Sequence, residues 1–344
     1  MANETILIDD VIKELNTYLK NNPELISVGI NRAEIPLDMH TKPLTKVKGK
    51  YPQAHTLLTD VVQGFSTEWN ELGLMRIKHK ILQNYHQKVN FAIIPAEILS
   101  SYFAELYAED KKPEDMPISK YIVDNELLPK VIDNLAWLSV NGEFDPAKLD
   151  QFGFSMNGIV NILDAMIDAV VDVDMKNPTP FKIPISALTD GNIVDQITAW
   201  ERKLPSKLKR KIKKVFMSEN NVERYILQYE EQFGQNKFQN DVLKTRLGKR
   251  EIVAIPDMET DHVFGTTENN FRRLIDVFDK PQITDIQKEN YKVKIFMEFW
   301  KGYDFLIEEL VCVANYEDTT YGLGSTAKNQ LYYGFDGVTP VPAS

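Results

Sequence analysis

Cysteine is nearly absent: Cys312 is the one such residue in 344. A single thiol cannot close an internal disulfide or supply a thiolate metal set, which excludes a disulfide-stapled fold and a cysteine zinc site. Cys312 lies in the apolar run Leu310-Val311-Cys312-Val313-Ala314, where a thiol acts as a small hydrophobe. Long apolar runs are lacking too. No stretch reaches the roughly 18 continuous apolar residues of a membrane span, and the start Met-Ala-Asn-Glu-Thr has no basic signal-peptide region. The expectation is synthesis in a reducing cytoplasm, with no membrane partner. Histidine is sparse and scattered at His40, His55, His79, His86 and His262, without HExxH spacing, so no metal or other cofactor is expected.

Catalytic signatures are missing as well. Tyr321-Gly322-Leu323-Gly324-Ser325 lacks the third glycine and the preceding strand of a dinucleotide fingerprint, and Leu247-Gly248-Lys249-Arg250 lacks the upstream glycine of a phosphate loop. Both read as turns. No GxSxG elbow occurs, and nothing in the sequence recommends an enzyme. Basic charge is in deficit: 40 Lys and Arg against 50 Asp and Glu give a net charge of -10. Such a chain repels nucleic acid on average and leaves only local basic patches to touch it. What is present is globular, because 43% hydrophobic and 26% charged residues exclude a wholly disordered chain. The length accommodates about two domains.

Residues 5–20 place Leu7, Ile8, Val11, Ile12, Leu15, Tyr18 and Leu19 at spacings of three and four, an amphipathic helix whose apolar face needs a partner. Residues 32–60, with Pro36, Pro43, Gly49 and Pro52 and the lysines 42, 46, 48 and 50, show no sustained period and read as extended irregular chain. A loop that long inside a compact domain is either a disordered tail or an arm ordered by neighbouring subunits. From 73 to 94 the odd positions Met75, Ile77, Ile81, Val89, Phe91 and Ile93 are apolar, and the even positions Arg76, Lys78, Lys80, His86 and Lys88 are polar. Period 2 predicts two strands. A hairpin with the loop Gln83-Asn84-Tyr85 pairs Met75 with Ile93 and Ile77 with Phe91, with Asn84 as a left-handed loop residue and Lys80 opposite Lys88. A lone ribbon is marginal in water, so this one calls for an external acidic surface. Leu74, Ile77, Ile81 and Tyr85 also permit a helix.

Helices are further expected at 96–108, at 118–138 with a perturbation at Pro129, at 159–173, and at 189–203 with Asp190 as cap. Strands are expected at 214–217, 251–256 and 263–266, and a long hairpin at 291–300 and 304–314 turns at Gly302. The tail from Thr319 reads as extended. Helices mixed with mainly antiparallel strands give class α+β. Asp164, Asp168 and Asp172 share a helix stripe and read as its solvated edge rather than a cation site. Lys203, Lys207, Lys209, Arg210, Lys211, Lys213 and Lys214 form the densest charge run. It reads as a solvated helix end, a contact for an acidic neighbour, or a phosphate contact.

The order of these elements resembles that of tailed-bacteriophage major capsid proteins with the Hong Kong 97 fold. The match rests on Lys88-Val89-Asn90-Phe91-Ala92-Ile93-Ile94-Pro95-Ala96-Glu97 with Met116-Pro117-Ile118-Ser119-Lys120-Tyr121-Ile122, on Lys214-Val215-Phe216-Met217-Ser218, on Gly248-Lys249-Arg250-Glu251-Ile252-Val253-Ala254-Ile255-Pro256, and on Gly265-Thr266-Thr267-Glu268-Asn269-Asn270, which looks like a TxxN element. The helical extension at 1–30 is not part of the family's common pattern; the resemblance implies an N-terminal arm at 31–65 and an extended loop at 66–95. It further implies a peripheral domain with a spine helix at 96–154 and 281–344, and an axial domain at 155–280. It also implies a non-enzymatic shell protein forming hexamers and pentamers of an icosahedral virion capsid, with portal, scaffold and decoration proteins as partners and double-stranded DNA packaged non-specifically. Arg76, Lys78, Lys80, His86 and Lys88 are the expected intersubunit contacts. The alternatives are a nucleic-acid-binding factor using 203–214 and a non-viral nanocompartment subunit.

Overall fold

The computed structural model describes residues 8–21, 35–58, 61–73, 75–108, 117–169, 179–234, 242–276, 282–290, 292–317 and 319–334. Its centre is one long strand. In chain order the strands are β1 (Lys42–Leu44), β2 (Lys50–Leu58), β3 (Met75–Gln83), β4 (Tyr85–Ile93), β5 (Phe181–Pro184), β6 (Lys214–Ser218), β7 (Glu251–Ile255), β8 (Phe264–Thr266), β9 (Phe271–Ile275), β10 (Gln282–Glu289), β11 (Lys292–Phe305) and β12 (Val311–Asn315). The first half of β11 pairs β10 on one side and β4 on the other; its last residues pair β9, and β9 pairs β1 in parallel. Alternation along β11 buries Val293, Ile295, Met297 and Phe299 on one face, as the period of a half-buried strand requires.

That face shares a core with the helices α1 (Ile8–Asn21), α2 (Pro95–Ala108), α3 and α4 (Ile159–Ile167). α3 runs through α-helical Ile118–Tyr121, π-helical Ile122–Leu127 and α-helical Leu128–Asn141. The wide turn is the perturbation expected of Pro129, which has no N–H to donate, so the ladder is re-registered just ahead of it. α1 finds its partner here. Val11 and Leu15 are buried, Ser119 donates its hydroxyl to Glu14 at 3.1 Å, and Lys288 of β10 pairs with Asp9 at 2.7 Å.

The second sheet has the order β5-β12-β8-β6-β7. It carries a separate core with Trp200 of α5 (Ile193–Lys203), Leu208 of the one-turn α6 (Ser206–Lys209), Tyr225 of α7 (Glu219–Phe233) and Tyr333 of α8 (Thr326–Tyr333). Asn270 locks the two sheets together. Its side chain donates to the Thr266 hydroxyl and the Ile307 carbonyl, each at 2.8 Å, and accepts from the Ile307 N–H.

Several expectations are corrected. β3 and β4 are strands but not a hairpin: β3 pairs β2, β4 pairs β11, and the Lys80–Lys88 juxtaposition does not arise. Asn84, without left-handed backbone, is a buried corner, donating to the Val47 carbonyl at 2.6 Å and accepting from the Tyr85 N–H. β11 runs through Gly302 with no turn. A Cβ there would lie 2.9 Å from the Gln83 carbonyl, so the glycine serves close approach of β11 to that corner.

Described residues of 32–60 are not a loose arm. Ile35, Leu37 and Val47 are buried, and buried Asp38 accepts from the Tyr303 hydroxyl at 2.5 Å and the Lys301 ammonium at 2.7 Å, with Arg273 ion-paired at 2.7 Å. Burial lowers the Lys301 pKa against the pull of Asp38. The helix expected at 159–173 ends at Ile167; 170–173 lie outside the described residues. α5 starts after Asn192, whose side chain accepts from the Thr189 N–H, while Asp190 pairs with Arg224 instead of capping. The described part of the tail includes α8, stopped by left-handed Gly334, where extended chain was expected; 335–344 lie outside the described residues. Among the described residues three strand pairs are parallel: β1 with β9, β5 with β12 and β6 with β7.

Candidate assembly surface

The two-stranded ribbon β2–β3 has two chemically opposite faces. Directly paired residues share a face, so Leu58 stands beside Met75, Thr56 beside Ile77 and Pro52 beside Ile81. This outward face is wet and mainly apolar, interrupted by exposed His79: Met75, Ile77 and Ile81 are 64%, 58% and 62% exposed. Pro52 fits because β2 lies at the ribbon's edge. The tip continues the pattern, with Val62, Phe65 and Trp69 at least 90% exposed and residues 61–72 all open to solvent. These aromatics were missed in the sequence reading. The signal was present as Phe65 and Trp69 set among polar residues in a stretch with no strand or helix period.

The inward face carries Lys78 and Lys80, turned onto the chain's own acids. Lys80 reaches Asp304 and Glu308, both at 2.5 Å, and donates to the Phe305 carbonyl at 2.8 Å. Lys78 pairs with Glu309 at 3.1 Å and lies over the Tyr332 ring, whose hydroxyl is 3.4 Å from His55 of β2. Three carboxylates face two ammoniums. Burial alone would lower the Lys80 pKa, but Asp304 and Glu308 hold it above its ordinary value; burial lifts Asp304 and Glu308.

The other expected contacts lie elsewhere. His86 is exposed on β4, stacked on Trp300 with ring centroids 4.5 Å apart and 3.3 Å from Glu298. Lys88, also exposed, sits opposite Glu298 across β4–β11. Arg76 pairs its backbone with Leu57. The five are therefore split between the ribbon and the main sheet. Beside β4 runs an open groove of about 650 Å³. Val89, Phe91, Leu127, Val131 and Phe152 are among the apolar residues lining it.

Among the described residues no group of three or more His, Cys, Asp or Glu side chains could hold a metal. The aspartate stripe is divided: Asp164 pairs with His262 at 2.9 Å, Asp168 ends α4, and Asp172 lies outside the described residues. No described helix is long and apolar enough to cross a membrane. Cys312 is fully buried and its thiol pKa is pushed up by that burial, so it is no nucleophile.

No family model matches the chain, and no curated protein does. Solved structures do. A satellite phage P4 procapsid chain superposes with a TM-score of 0.54 at 10% identity, covering 91% of this chain and 100% of that one. The cyanophage A-1(L) capsid gives 0.51 at 11% identity over 82% and 92%. The capsid of an empty GTA particle gives 0.50 at 10% identity over 82% and 96%. At such identity the likeness is one of fold: the chain is α+β and carries the Hong Kong 97-like capsid fold.

Proposed function

We infer that the chain is the subunit of a self-assembling icosahedral shell, a major capsid protein whose hexamers and pentamers enclose double-stranded DNA. One observation carries the reading: a fold shared with capsid proteins presents a ribbon whose outward face exposes Met75, Ile77 and Ile81 and whose tip exposes Val62, Phe65 and Trp69. Large exposed apolar side chains gathered on one element mark interaction sites. Head-to-tail contacts between such a patch and a different surface of the next copy build closed rings. The groove along β4 and α3 is apolar-floored and large enough for aromatic side chains of a second copy. In this reading β2, the tip and β3 form the extended loop, so its bounds shift from 66–95 to 50–83. α3 is the spine helix of the peripheral domain, and the second sheet belongs to the axial domain.

Electron microscopy of the purified protein tests this. Wild type should give closed shells, capsomers or tubes, whereas Met75→Asp/Ile77→Asp/Ile81→Asp should stay folded and give none. Strictly monomeric wild-type particles under every assembly condition contradict the reading.

A further inference from the structure

Six cations gather at one corner of the second sheet. Arg202 lies in the last turn of α5, Lys207, Lys209, Arg210 and Lys211 ride α6 and the turn after it, and Lys249 stands just before β7; all six are exposed. A buried residue builds the corner. Arg250 donates to the Lys209 carbonyl at 2.7 Å and is ion-paired with buried Glu201 of α5, which fastens the three segments at one point. That pairing consumes the Glu201 charge. Flanking carboxylates are occupied as well, Glu268 by Lys213 at 2.8 Å and Asp195 by Arg246 at 3.3 Å. Burial, followed by the charges of Arg250, Lys249 and Arg202, lowers the pKa of the Lys209 ammonium, so Arg250, Lys249 and Arg202 stand within electrostatic reach of Lys209.

We propose that this corner binds the phosphate backbone of duplex nucleic acid. On a chain of net charge -10 the corner attracts a polyanion while the remaining surface repels it, which fixes the orientation of approach. The six cations are four lysines and two arginines; ammonium point charges and guanidinium forks both take phosphate oxygens. No aromatic residue lies between 201 and 214, so the run offers no platform on which single-stranded bases would stack. The contact is therefore to backbone, without sequence readout. It stands apart from the shell reading, since a free subunit presents the same corner.

The test is titration of a short labelled mixed-sequence duplex with the full-length protein across salt. With five or so phosphates contacted, log K should fall against log salt with a slope of about -4 to -5. Lys209→Glu/Arg210→Glu/Lys211→Glu should flatten that slope by about 3. Lys120→Glu/Lys130→Glu/Lys292→Glu makes the same charge change on α3 and β11 and should leave the slope intact. Matched circular-dichroism melting curves for both variants guard against unfolding. Equal loss in the two variants, absence of salt-dependent binding, tighter binding of the single strand, or equal competition by polyglutamate would each overturn the proposal. Particle formation, scored in parallel, bears on the shell reading alone.

Discussion

Residues 35–47 and 61–73 both lack a sustained apolar period, yet they meet opposite fates. The first segment is studded with proline and lysine and ends up in the core, with Ile35 and Val47 fully buried; the second carries Val62, Phe65 and Trp69 and stays in solvent. Hydropathy does not separate them; partners do. Asp38 is drawn in by Lys301, Tyr303 and Arg273, residues more than 230 positions away that line β9 and β11. Among the described residues the tip finds nothing comparable, although it holds larger apolar side chains. In the proposed shell, the partner of that segment lies on another copy of the chain.

The contrast is broken most severely at Asp38. Asp38→Ala strands the buried Lys301 and Arg273 charges and should cost about 3–5 kcal/mol of unfolding free energy in denaturant titration. Asn84→Ala, which frees the buried Val47 carbonyl and Tyr85 N–H, should cost about 1–3 kcal/mol by the same measurement. Phe65→Ser/Trp69→Ser in the tip should leave monomer stability within about 0.5 kcal/mol of wild type, since no native contact is lost.

A smaller effect reports on the ribbon's inward face. The folded Lys80 pKa lies above its ordinary value near 10.5. Its stabilisation is therefore fully present below that ordinary value and lost as pH rises through the folded one. Lys80→Arg keeps its charge across this range. The stability difference, wild type minus Lys80→Arg, should shrink above pH 10.5; a difference that stays flat would detach Lys80 from Asp304 and Glu308.

Much of the fold was legible because burial imposes a period. The strands β4, β6, β7 and β11 and the helices α1, α2 and α3 announce themselves through repeated apolar spacing. Pairing was not legible, because period 2 says that a strand has two faces, not which one is wet. In β3 the apolar residues Met75, Ile77 and Ile81 face out and the lysines face in, the reverse of the usual arrangement and the reason a hairpin with β4 looked attractive. Gly302 looked like punctuation because close approach of Asn84 leaves no mark in the neighbouring sequence. The basic residues of the ribbon were visible, but their acids, Asp304, Glu308 and Glu309, lie more than 220 positions later. α8 carried a local signal that was overlooked, a glycine placed at its C-terminal end.

The account turns on whether the tip and outward face of the ribbon are covered by a second copy. Oxidative footprinting of Met75, Phe65 and Trp69, read by mass spectrometry in dissociated subunits and in assembled particles, measures this directly. The account predicts heavy labelling of all three in subunits and strong protection in particles, with Tyr107 of α2, 91% exposed, as the within-chain reference. Labelling of Met75, Phe65 and Trp69 that is equal in the two states would contradict it.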